Sequence, residues 1–159
     1  MSLSKEIKMQ CEINTKKHEA LLSIVRTGSV IGKLSDSFFS PFDLTEAQYN
    51  ILIVLKLENK KLTQVEIGER LVSSRANITL ILDKMEKKGL VKRERIENDR
   101  RVLMVDLTAK GRKLVDAVEA KYVAEVERLM SSLTETECKE MSRLLEKLRA
   151  ALHRDEEER

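Results

Sequence analysis

LTQVEIGERLVSSRANITLILDKMEKKGL, residues 62–90, decides how the rest of the chain is read. Thr63-Gln64-Val65-Glu66 has the form of a capping box: the Thr hydroxyl can accept from the amide three residues on, and the Glu can reach back. It predicts a short helix from Gln64 to about Arg70. After Leu71-Val72, Ser73 or Ser74 can cap a second helix running to about Lys88, and Gly89 stands where a left-handed C-terminal cap is expected. On that second helix Ile78, Ile81, Leu82 and Met85 recur at helical spacing, which predicts one inward face. Two short helices joined by a tight turn form a helix-turn-helix.

Downstream, Leu90–Ile96 and Arg101–Leu107 read as two strands around the turn-prone Glu97-Asn98-Asp99-Arg100. Thr108 can cap a long helix from Ala109 to about Ser131, with an apolar stripe at Leu114, Val115, Val118, Tyr122, Val126 and Leu129. A second capping box, Thr134 to Glu137, precedes a last helix carrying Met141, Leu144, Leu145, Leu148 and Leu152; a polar, frayed tail is expected over 154–159. Upstream, residues 14–39 read as a helix closed by Ser40-Pro41-Phe42-Asp43. Thr45 then caps a helix from Glu46 to about Leu57, with Tyr49, Leu52, Ile53 and Leu57 on one face and Ile51, Val54 and Leu55 widening it. The expected fold is mainly α with a small β-hairpin: a winged helix-turn-helix over 44–107, and helical regions over 5–43 and 108–153.

Composition narrows the function. The chain has 159 residues, of which 42% are hydrophobic, enough for one core-bearing domain. Aromatics are 3% and Trp is absent, which argues against base-stacking platforms of the single-strand RNA type. Net charge is only +3, but residues 70–101 hold ten cations against five anions. A basic centre between near-neutral flanks is the footprint of a polyanion. There is no Gly-rich phosphate loop, nucleophile elbow or metal constellation, so neither an enzyme nor a cofactor is expected. Cys11 and Cys138 form no disulfide or zinc pattern, and His18 and His153 are isolated. With no secretory leader or long apolar span, a cytoplasmic protein without a membrane partner is expected.

The residues that would carry DNA binding follow from helix geometry. Ala76, Asn77, Thr79, Leu80, Asp83 and Lys84 lie opposite or beside the apolar face of the second helix, and Ser74 and Arg75 occupy its first turn. Such a helix fits the major groove, with residues near its N-terminus at the base edges. Arg75 suits guanine or phosphate, Asn77 adenine, and Leu80 a thymine methyl. Periodicity alone favours an ordinary amphipathic core helix; the adjacent hairpin and the local charge reverse that preference toward DNA. A hairpin would hold Arg100 and Arg101 rigidly at its tip, suited to a narrow minor groove. Lys92, Arg93 and Arg95 would meet phosphates, giving affinity and register rather than sequence information. A weakly specific architectural DNA-binding protein and a protein-interaction module remain the alternatives.

Three stretches in this order, LTEAQYNILIVL (44–55), LTQVEIGERLVSSRANITLILDKMEKKGLVKRE (62–94) and DRRVLMVDLTAKGRKL (99–114), resemble the multiple-antibiotic-resistance regulator (MarR) family of bacterial transcription regulators. The last contains that family's wing signature, Asp99 two residues before Arg101, followed by Leu107-Thr108 and Gly111. The resemblance implies a sequence-specific regulator, usually a repressor, in which Asp99 orients Arg101. It also implies an intertwined homodimer of the terminal helices on a palindromic operator, with half-sites about 34 Å apart. A small phenolic or other aromatic effector would bind between the dimer helices and the winged domain; Phe38, Phe39, Phe42 and Tyr49 lie in that neighbourhood but read better as core. The position of Leu80 is often polar or basic in the family, which puts any transfer of operator sequence in doubt. The family's hydroperoxide sensors place a reactive Cys near Leu21 here, so Cys11 does not match them.

Overall fold

The computed structural model describes residues 15–71, 78–96 and 99–157, with the backbone alone at 96, 99–102 and 155–157. Helix α1, Lys16–Phe39, starts where the Thr15 hydroxyl accepts from the His18 amide at 3.1 Å. It passes into a 3-10 turn, Ser40–Phe42, containing Pro41, and Asp43 reverses the chain in a left-handed conformation. Helix α2, Glu46–Glu58, is capped by Thr45 as expected, with Gln48 reaching back to complete a box. Strand β1, Leu62–Thr63, leads into α3, Gln64–Arg70, whose Thr63–Glu66 capping box is formed in both directions. Helix α4 is described over Ile78–Lys87; its expected Ser73 or Ser74 cap lies outside the described residues. It stops as expected at Gly89, φ 69°, where the Leu90 amide reaches back to the Met85 carbonyl.

Strands β2, Val91–Ile96, and β3, Asp99–Leu107, form the expected hairpin. They belong to a three-stranded antiparallel sheet of order β1-β3-β2. Two features differ from expectation. β1 adds a third strand, pairing Leu62 with Val105 and Thr63 with Met104. The expected turn at 97–100 is shorter: the hairpin closes on an Ile96–Asp99 pair, so Asp99 and Arg100 belong to β3. The register slips between Arg95 and Ile96 to allow this closure.

The hub of the core is α2. Ile51, Leu52 and Leu55 are buried together with Leu62, Ile67, Leu82, Met85, Val91 and Val105, drawn from β1, α3, α4 and both wing strands. Each such side chain contributes about 1.5–3 kcal/mol by leaving water. Leu57, expected on the buried face of α2, is instead 72% exposed. The buried axis runs through Gln48, Ile51, Leu52 and Leu55, turned away from Leu57 by packing against α3, α4 and β3. A methyl at Gly68 would lie 2.6 Å from the Ile78 Cδ1, so α3 and α4 meet closely there.

The described residues form two compact units, the first reaching Val115 and the second starting at Asp116. Helix α5, Ala109–Met130, begins in the first; its cap is Thr108, whose hydroxyl accepts from the Gly111 amide at 3.0 Å and donates to the Gly89 carbonyl at 2.7 Å. Helix α6, Glu135–Glu157, belongs to the second and starts at the expected Thr134–Glu137 box. It runs on to Glu157, so the residues expected to fray from Arg154 are helical that far. Apolar side chains remain uncovered in both units: Leu21, Val25 and Ile31 on α1, and Leu144, Leu148 and Leu152 on α6.

Candidate nucleic-acid interface

Helix α4 separates its faces as the spacing predicts. Leu82 and Met85 are fully buried, Ile78 and Ile81 half-buried, while Thr79, Leu80 and Lys84 point to solvent. Leu80 is 48% exposed. The Thr79 hydroxyl donates to the Gln64 side-chain carbonyl at 3.0 Å, tying the described start of α4 to the start of α3. Ser74, Arg75 and Asn77 lie outside the described residues.

The strand cations behave unequally. Arg95 is exposed. Lys92 is exposed too, but its ammonium donates to the Glu94 carboxylate at 2.8 Å and lies 3.7 Å from that of Asp106. Glu94 also accepts from Lys61, and hydrogen bonds from Lys61 and then Lys92 hold its carboxyl down at about 2. The same bond from Glu94 raises the Lys92 ammonium above its ordinary value. Asp99, Arg100 and Arg101 lie on the opening residues of β3, where the backbone alone is described.

Arg93 departs from the phosphate-contact expectation. Its side chain is only 16% exposed and turns inward to α4. The guanidinium donates to Glu86 Oε2 through Nε at 3.0 Å and Nη2 at 2.6 Å, and to Asp83 Oδ1 through Nη2 at 2.5 Å. The Arg93 amide also donates to Glu86 Oε1 at 3.1 Å. These bonds push the Glu86 carboxyl below its ordinary range and the Arg93 guanidinium above its own, the Arg93–Glu86 side-chain bond leading in each case. Alternation along β2 puts Val91, Arg93 and exposed Arg95 on one face, so the signal that reading by charge alone missed is the pair of acids facing Arg93 from α4. Asp83 and Glu86, three apart, flank the apolar stripe of α4.

Beside the C-terminal end of α4 lies an open cavity of about 620 Å³. Lys84, Lys87 and Lys88 line it from the end of α4, with Asp36, Asp43 and Gln48 among the residues of α1, the 3-10 turn and α2. Lys88 pairs with Asp43 at 2.9 Å. The aromatic group sits beside it as core: Phe39 and Tyr49 are buried with ring centroids 4.9 Å apart, and Phe38 and Phe42 are half-buried against them. Among the described residues no group of His, Cys, Asp or Glu could hold a metal ion. No described helix is long and apolar enough to cross a membrane.

Comparison with known proteins agrees with this geometry. The MarR family model matches residues 44–103. The chain is 34% identical to the transcriptional repressor MdtR of Bacillus subtilis (strain 168) over 115 residues, 72% of this chain and 74% of that protein. It is 29% identical to the transcriptional regulator PapX of Escherichia coli over 136 residues, 85% and 83% of the two chains. Among solved structures, a mutant E. coli MarR complexed with operator DNA superposes with a TM-score of 0.70 at 26% identity, covering 93% of this chain and 99% of that one.

Proposed function

Because this chain belongs to the MarR family of DNA-binding transcription regulators, which are not enzymes, we propose that it is a cytoplasmic, homodimeric repressor of a palindromic operator, released by a small-molecule effector. One observation carries the DNA-facing part: α4 buries Leu82 and Met85 while leaving Thr79, Leu80 and Lys84 exposed, directly before a basic hairpin.

In this reading Ser74, Arg75, Asn77, Thr79 and Leu80 address base edges and nearby phosphates in the major groove, with Lys84 on the backbone. Arg100 and Arg101 enter the flanking minor groove, Asp99 orienting Arg101, while Lys92 and Arg95 meet phosphates. Lys92 would exchange its Glu94 contact for phosphate, so it adds less than Arg95. The uncovered apolar residues of α1 and α6 support a second copy as their cover. The open cavity lined by Lys84, Lys87 and Lys88, with Lys88 already paired to Asp43, is where a small-molecule effector would be sought. MdtR, named a repressor, supports the sign of regulation.

Selection of bound fragments from random duplex DNA, followed by gel-shift titration, tests the reading. One recovered palindrome is expected, with Asn77→Ala relaxing preference at one position per half-site by about 1–3 kcal/mol. Arg101→Ala should weaken binding and leave the dimer intact. Uniform coverage of all sequences would replace specific repression with architectural binding; unchanged affinity of Arg101→Ala would remove the wing from the interface.

A further inference from the structure

We propose that Arg93, held by Asp83 and Glu86, is the positioning residue that locks the wing to the DNA-facing helix, and that it spends its charge inside the protein rather than on phosphate. The inference rests on the reading of α4 and the hairpin as the DNA-facing elements.

Three features support it together. First, the bonds join two elements that would have to meet adjacent grooves of one duplex. On α4, Asp83 lies about one turn after Thr79 and Leu80 and next to Lys84, and Glu86 two residues beyond Lys84; Arg93 sits on β2 two residues before Arg95. Second, the bonding engages both side chain and backbone. Glu86 accepts from the Arg93 guanidinium through one oxygen and from the Arg93 amide through the other, so the carboxylate fixes the strand itself. Third, the geometry needs a guanidinium. Its planar fork reaches two carboxylates on successive turns of a helix, which a single ammonium on a flexible stem cannot reproduce.

The cation also has two carboxylates against it and little solvent around it, at 16% side-chain exposure. A phosphate would have to displace both carboxylates to reach it. Asp83 and Glu86 would otherwise place two like charges beside a polyanion. Their pairing with Arg93 therefore does a second task, masking negative charge on the flank of the DNA-facing helix.

The test uses the full-length chain and the duplex recovered by selection, comparing wild type with Arg93→Lys, Arg93→Glu and the double variant Arg93→Glu/Glu86→Arg. Gel-shift titrations run over a range of salt, and amide hydrogen exchange is followed at residues 93–95 of the free protein. For a strut, Arg93→Lys lowers affinity on the order of tenfold, the scale of coupling among residues of one ion-pair network. The slope of log affinity against log salt stays at the wild-type value. Exchange at 93–95 quickens, and the double variant recovers part of what Arg93→Glu loses.

Direct pairing of Arg93 with phosphate predicts the reverse. Arg93→Lys then binds like wild type, Arg93→Glu lowers the slope by about 0.9 for each phosphate left unneutralised, and the swap recovers nothing. Either that pattern or unchanged exchange in Arg93→Lys overturns the proposal. A wild-type chain that binds no duplex at low salt would defeat the regulator reading instead. Exchange in the free protein would still decide whether Arg93 braces the hairpin.

Discussion

Gly111 shows how one missing side chain joins two parts of the fold. A methyl there would overlap the Leu90 carbonyl. That carbonyl cannot withdraw freely, because it accepts from the Thr108 amide at 3.1 Å and the Thr108 hydroxyl at 3.2 Å. Gly111→Ala should therefore destabilise the protein by about 1–3 kcal/mol, the usual cost of overpacking, although alanine favours helices. Thermal unfolding would show a lowered midpoint; a raised one would mean that the wing base yields easily. Gly111 was legible in the sequence only as part of a family pattern, since its reason is a carbonyl brought from residue 90 by the fold. Arg93 is similar: charge reading sends it toward phosphate, whereas two acids on α4 draw it inward.

The wing illustrates the element scale. Its outer face carries Lys92, Glu94 and Asp106, which form one ion-pair group with Lys61 just before β1. The Glu94 carboxyl is depressed from 4.5 to about 2, so the folded state favours its ionised form. The unfolded chain then binds more protons between those values, and the contribution is complete above pH 4.5 and fades as pH falls toward about 2. Glu94→Gln should flatten the fall in denaturant midpoint across that window. The group is exposed, so added salt should shrink the difference between wild type and variant. A variant that retained the full acid slope would assign it elsewhere. The strands themselves were legible from the β-prone run Val102–Val105 and the turn-prone residues before it, of which Asp99 and Arg100 proved to belong to β3. Strand β1 was not, because two residues cannot display a period; only pairing with Val105 and Met104 makes Leu62–Thr63 a strand.

At the scale of the molecule, the question is what covers the terminal helices. Val25 is 61% exposed and Leu144 51%, each within a row of apolar neighbours. If a second copy covers them, Val25→Asp places an unpaired carboxylate in an apolar contact, at a cost on the order of 3 kcal/mol or more. Sedimentation should show the variant dissociating at concentrations where the wild type stays paired, while its helical circular dichroism persists. Binding to a duplex with two half-sites should fall along with pairing. An unaltered sedimentation profile would exclude this face of α1 from the dimer.

Local physics alone determined much of this protein. Helix starts at Thr45, Thr63, Thr108 and Thr134, the stop at Gly89, and the inward face of α4 all follow from hydroxyls, glycine and apolar spacing within a few residues. Tertiary structure decided what such short windows cannot contain. It turned α2 so that Leu57 faces water, added β1, shortened the wing turn and set Arg93 against Asp83 and Glu86. Each of these depends on groups far apart along the chain, whose energies exist only once the backbone has brought them into contact.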